Sequence, residues 1–317
     1  MSSALRPMST AEILDRTFSL YRNNFLLFAG IAILPAALAL ILHLVGVATH
    51  ITVRVPGRTA LQAQLMFLGY EFMVIFVASV IGGGIATGAT AFGVYHVNLE
   101  QRATIAGSYR KVMGSGFRVI AAAILVFLLM VVIVVVVFFA YVYIVFMPLE
   151  RSFTSGTATL FFVVGLATFL VFCLLWLYLS AFFAFVIPAL LLDNTTFWGA
   201  FRRSRFLAKG STGRIFLVLL LTLLLTFAFT SILRAPGLML LSARRQAVWL
   251  QLWTNVAQFF SALLAGPIAT IAVALIYIDQ KVRKEAFDLQ VMMDTIQESA
   301  PQPLPAPPAG DQPVVGA

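Results

Sequence analysis

The chain has 317 residues, 61% of them apolar and 10% charged, where ordinary soluble domains carry about a quarter charged residues. A water-soluble globule of this size cannot hide so much apolar side chain, so composition excludes the soluble classes and indicates an integral membrane protein. The formal net charge of +9 fits orientation in a bilayer and contact with anionic head groups, and a nucleic-acid partner is not expected.

Residues 1–23 contain Glu12 and Asp15 and read as a helix, so a cleaved signal peptide is not expected. Ser9-Thr10-Ala11-Glu12 has the form of a capping box, in which Ser9 and Glu12 satisfy each other's exposed backbone donors. Leu14, Phe18, Tyr21 and Phe25 then fall on one face, with Asp15, Arg16, Ser19, Arg22 and Asn23 on the other. Such a helix lies along the head-group boundary.

Six apolar runs follow, at 25–48, 72–97, 119–147, 158–191, 215–233 and 254–278. A bilayer core of about 30 Å needs about 20 residues as a helix, and all six qualify. The third is rich in β-branched residues from Val131 to Val137, but a lone strand in lipid leaves its backbone polar groups unmet, so a helix is expected there too. The fourth is longer than a crossing needs and is expected to tilt or to lie partly along the interface.

Between the second and third runs stands Thr104-Ile105-Ala106-Gly107-Ser108-Tyr109-Arg110-Lys111, and between the fourth and fifth Thr196-Phe197-Trp198-Gly199-Ala200-Phe201-Arg202-Arg203. Aligning Thr10, Thr104 and Thr196 aligns Arg16, Arg110 and Arg202. In the second copy Ile105, Tyr109, Val112 and Met113 are expected on the apolar side; in the third, Phe197, Trp198 and Phe201. The expected fold is an all-α membrane protein of six transmembrane helices, built as three repeats of a basic interfacial helix plus two spans. The repeats cover about 9–100, 103–193 and 195–298, forming one membrane domain over 1–298, with a Pro/Ala-rich tail over 299–317 expected to be disordered.

Of the 21 Lys and Arg residues, 15 fall at the N-terminus, the second and fourth connections and the C-terminal exit, against 6 on the other side. That bias predicts both termini in the cytoplasm.

Inside the runs, Ser79/Gly83, Gly84/Gly88 and Ala89/Gly93 are small-xxx-small pairs that make the second crossing the expected central packing helix. Thr222, Thr226 and Thr230 form a stripe on the fifth crossing, read either as packing or as the lining of a lipid-sized groove. Gly266-Pro267 interrupts the sixth crossing, and broken helices line many transporter sites. Pro188 is expected to bend the fourth. Glu71 is expected at head-group level, and Cys173 as a small packing residue. His43 and His50 are seven apart with no evident third ligand, so no metal site is expected. Asp279 and Arg283 form an i, i+4 pair at the helix exit, worth about 0.2–0.5 kcal/mol as such a pair, or else dock a cytoplasmic partner or pair with basic residues of the repeats.

Three segments carry a family resemblance. Residues 9–25 (Ser-Thr-Ala-Glu-Ile-Leu-Asp-Arg through Asn-Asn-Phe), Ala200-Phe201-Arg202-Arg203-Ser204 followed by Leu207-Ala208-Lys209-Gly210, and 275–289 (Leu-Ile-Tyr-Ile-Asp-Gln-Lys-Val-Arg-Lys-Glu-Ala-Phe-Asp-Leu) resemble a family of bacterial multipass proteins. That family is named for the membrane domain of glycerophosphoryl diester phosphodiesterases. The resemblance implies a bacterial cytoplasmic-membrane location. It does not bring the enzyme with it, because only 28 residues follow Leu289 and a catalytic barrel needs well over 200.

The expected function is therefore non-enzymatic, without catalytic residues, cofactor or metal. The leading expectation is a scaffold or accessory subunit that engages anionic phospholipid or a membrane-associated protein through Arg16, Arg110, Lys111, Arg202, Arg203, Asp279 and Arg283. The alternative is a transporter or flippase for a lipid or amphiphile, with Thr222, Thr226, Thr230 and Pro267 lining its groove.

Overall fold

The computed structural model describes residues 8–52, 60–143, 158–239 and 247–285, and every element among them is helical. Three short amphipathic helices, α1 (Thr10–Asn23), α5 (Ile105–Gly114) and α9 (Phe197–Ala208), alternate with six long apolar crossings. The first crossing is α2 (Phe25–Thr52). The second runs through α3 (Ala60–Val74), a wider π-helical stretch (Ile75–Gly82) and α4 (Gly83–Asn98). The third is α6 (Gly116–Tyr141) and the fourth combines α7 (Ala158–Phe183) with α8 (Val186–Leu192). The fifth is α10 (Thr212–Met239), and α11 (Ala247–Leu264) with α12 (Gly266–Glu285) makes the sixth. All six contain windows long and apolar enough to cross a bilayer. The tail after Glu285 and the side chain of His50 lie outside the described residues.

Every even-numbered crossing is interrupted. Pro188 accounts for the break at Ala184–Phe185, since its ring meets the carbonyl four residues back. Pro267, in the first turn of α12, follows the break at Ala265. The second crossing widens into the π stretch instead. The sixth crossing is thus one of three interrupted helices, where the sequence suggested a kink in the sixth and a bend in the fourth.

The short helices are capped alike. Ser9 accepts from the Glu12 N–H, Thr104 from Gly107 and Thr196 from Gly199. Both halves of the Ser9–Glu12 capping box are formed. Cap positions shift the alignment read from the threonines: Ser9 corresponds to Thr104 and Thr196, so Arg16 corresponds to Lys111 and Arg203. The inward faces shift too. Ile13, Thr17 and Leu20 are buried on α1, Ser108 and Val112 on α5, and Ala200, Ser204, Leu207 and Ala208 on α9. Phe18, Met113 and Trp198, expected on the apolar side at the head-group boundary, are 45%, 68% and 72% exposed.

The core lies between the second and sixth crossings and the ends that lean on them. Gly84 faces Ala123 and Gly88 faces Leu191 at distances that leave no room for a side chain. The sixth crossing is the most enclosed: 50% of its apolar window is buried, against 17% to 22% for the others. Cys173, by contrast, is exposed.

Candidate functional site

The two ends of the bundle carry different chemistry. At one end lie the three short helices, with the start of the odd crossings and the finish of the even ones. Each even crossing carries near its finish a polar residue within an apolar-x-apolar-Asx pattern, buried in two cases and partly buried at Asp193: Tyr95-His96-Val97-Asn98, Leu190-Leu191-Leu192-Asp193 and Ile276-Tyr277-Ile278-Asp279. Each receives a cation. Arg16 donates to the Asn98 side chain at 3.2 Å. Asp193 accepts from Arg203, from Lys281 at 2.7 Å and from the Tyr277 hydroxyl. Asp279, fully buried, accepts from Arg214 at 2.8 Å, Arg283 at 2.9 Å and the Met8 N–H at 2.7 Å. Arg203 also reaches Glu285 at 2.7 Å.

A buried carboxylate is retained only when paired and hydrogen-bonded, and both meet that condition. Burial works against the Arg203 charge, but the hydrogen bond with Tyr277 and the negative charge of Asp193 outweigh it and hold the guanidinium above its ordinary pKa. Asp279 and Arg283 are thus more than a helix-exit pair, because Arg214 and the Met8 backbone complete the cluster. Arg110, Lys111 and Arg202 are separated from this network: all three are exposed on the outward faces of α5 and α9. The sequence reading passed over Asn98, Asp193 and Arg214, although the Asx closing each even run was the signal for the first two.

The opposite end holds a cavity of about 980 Å³ between the first, second and sixth crossings, with Arg234 of the fifth at its edge. That is the upper end of the range in which proteins bury small ligands, about 300–1,000 Å³. Its polar residues are His43, Glu71, Arg234, Gln251, Thr254, Asn255 and Gln258. Arg234 and Gln251 stand near the ends of their helices away from the basic end, and His43, Glu71, Thr254, Asn255 and Gln258 lie further in. Deeper, the walls are Ala32, Pro35, Gly83, Ala86, Thr87, Thr90 and Pro267 among others. Short side chains at helix interruptions leave the space: the π stretch contributes Ser79, and the sixth-crossing break contributes Gly266 and Pro267.

Within the cavity His43 Nε2 lies 3.5 Å from Glu71, and Arg234 donates to Gln258 Oε1 at 2.5 Å. Glu71 is therefore a cavity residue with a partner, where the sequence suggested a head-group-level acid. Pro267 lines this cavity and the threonine stripe does not. Thr222, Thr226 and Thr230 each donate to a carbonyl one turn back, and Thr230 also meets Ser261. The stripe packs its own helix because a hydroxyl in lipid finds its nearest acceptor there. Among the described residues no group of three His, Cys, Asp or Glu side chains is placed to hold a metal ion.

The fold and the cavity together define a multi-pass α-helical membrane protein with a polar-mouthed intramembrane chamber. Comparison with family models, with curated proteins and with solved structures finds no match.

Proposed function

We propose that this protein is a non-enzymatic carrier that takes up the head group of a lipid or amphiphile through the cavity between the first, second and sixth crossings. The observation that carries the reading is the polarity gradient along that cavity. Charged and amide side chains ring the mouth, while Ala, Gly, Pro and Thr line the depth, the order in which an amphiphile presents its own two halves. The interruptions in the second and sixth crossings supply a place where the wall can move. On the charge bias, both termini face the cytoplasm and the mouth opens to the outer leaflet, the membrane being the bacterial inner membrane that the family resemblance implies.

Reconstitution into liposomes tests this. The protein is expected to speed the transfer of labelled phospholipid between leaflets, and Thr87→Trp or Ala262→Trp, which fill the chamber, to abolish the gain. Transfer no faster than in protein-free liposomes, or a gain that survives both tryptophans, rejects the carrier reading. Labelling of either terminus from outside intact cells rejects the orientation.

A second reading, a scaffold held to anionic phospholipid, is favoured by the exposed Arg110, Lys111 and Arg202. Each exposed cation near an anionic surface contributes about 1 kcal/mol to membrane attraction. The two readings can hold together, since the cations and the chamber occupy opposite ends.

A further inference from the structure

We infer that the head group seated in the cavity presents an oxyanion, a phosphodiester or a carboxylate, held on Arg234 with the Gln258 amide beside it. The inference rests on the reading of the cavity as an amphiphile site and names the ligand class.

The first argument is the placement of charge. Among the described lining residues the ionisable side chains are His43, Glu71 and Arg234. Glu71 lies against His43 Nε2 at 3.5 Å, so Arg234 is the lining residue that carries a fixed positive charge apart from the acid.

The second argument is donor direction. Gln258 Oε1 accepts from Arg234, which turns its amide NH₂ outward as a donor beside the guanidinium. Asn255, on the same wall one turn earlier in α11, has a buried Nδ2 with no acceptor. A guanidinium flanked by amide donors is the arrangement that binds an oxyanion.

The test uses the full chain in discs of neutral lipid, carrying Arg110→Gln, Lys111→Gln and Arg202→Gln so that surface attraction is removed. Fluorescent phosphatidylglycerol, phosphatidylcholine and diacylglycerol with identical chains are titrated. Phosphatidylglycerol is expected to bind about tenfold more tightly than diacylglycerol, the scale of one charge-assisted contact. Arg234→Gln should erase that preference while leaving diacylglycerol binding unchanged, and Arg234→Lys should restore part of it. Glycerophosphoglycerol and inorganic phosphate serve as soluble competitors: displacement by them assigns the site to a free anion, and its absence to a lipid head group. Equal affinity for the three probes, or a preference that survives Arg234→Gln, overturns the inference and leaves the amphiphile site standing. If no probe binds and Ala262→Trp changes nothing, the cavity reading itself has failed.

Discussion

Asp279 accepts a hydrogen bond from the main-chain N–H of Met8 at 2.7 Å, joining residues 271 positions apart. Arg214 and Arg283 each bridge the same two residues, pairing with the Asp279 carboxylate and donating to the Met8 carbonyl. The segment before α1 is thereby tied to the end of the sixth crossing and the start of the fifth.

Asp279→Ala should accordingly cost about 3–5 kcal/mol, the scale for removing one partner of a buried ion pair and stranding the other. Thermal unfolding in detergent measures this, with Arg283→Gln as the comparison. Arg283 is 38% exposed in its side chain, so its loss is expected to cost well under half as much. Equal effects would mean that Asp279 is not the hub of the cluster.

A close approach at glycine separates packing helices from exposed ones. A methyl group at Gly84 would sit 2.8 Å from Ala123 Cβ, and one at Gly88 2.5 Å from Leu191 Cδ1. Gly84→Ala should destabilise by about 1–3 kcal/mol, because Ala123 has no flexible end to swing away. Gly88→Ala should cost less, since a leucine tip can move. Gly114→Ala meets nothing within 4 Å and should be neutral. The order of the three melting temperatures is the readout.

Replacing Thr222, Thr226 and Thr230 together by Val removes hydroxyls that bond only their own helix and Ser261. Lipid transfer by this variant should match that of the parent. A loss comparable with that of Thr87→Trp would put the pathway along the fifth crossing instead of the chamber.

Neighbouring arginines on α9 should behave oppositely. Arg202 is exposed, so Arg202→Gln should weaken binding to anionic liposomes at low salt with no change in melting temperature. Arg203 is held by Asp193 and Glu285, so Arg203→Gln should lower the melting temperature and leave liposome binding nearly unchanged. Co-sedimentation at two salt concentrations, alongside thermal unfolding, distinguishes them.

The six crossings and the three capped helices were legible because each is written in consecutive residues: about 20 apolar positions, or a Ser/Thr followed at the third position by a residue whose N–H it caps. Faces were less legible. Periodicity put Phe18, Met113 and Trp198 on apolar faces at the head-group boundary without naming the face that packs, since in a membrane protein a large apolar side chain gains as much from lipid as from the core. Apolarity therefore does not reveal which face packs. Small residues did, as Gly84 and Gly88 show.

Composition and run length alone decide that the chain is a six-crossing helical membrane protein, because an unpaired backbone has no other solution in hydrocarbon. Which of the cations are spent and which stay available was decided by tertiary structure. Arg202 and Arg203 are adjacent and chemically identical, and only the distant Asp193 and Glu285 separate their roles. The chamber is likewise a product of assembly: His43, Glu71, Arg234 and Gln258 stand far apart along the chain, and helices running in opposite directions bring them to one mouth.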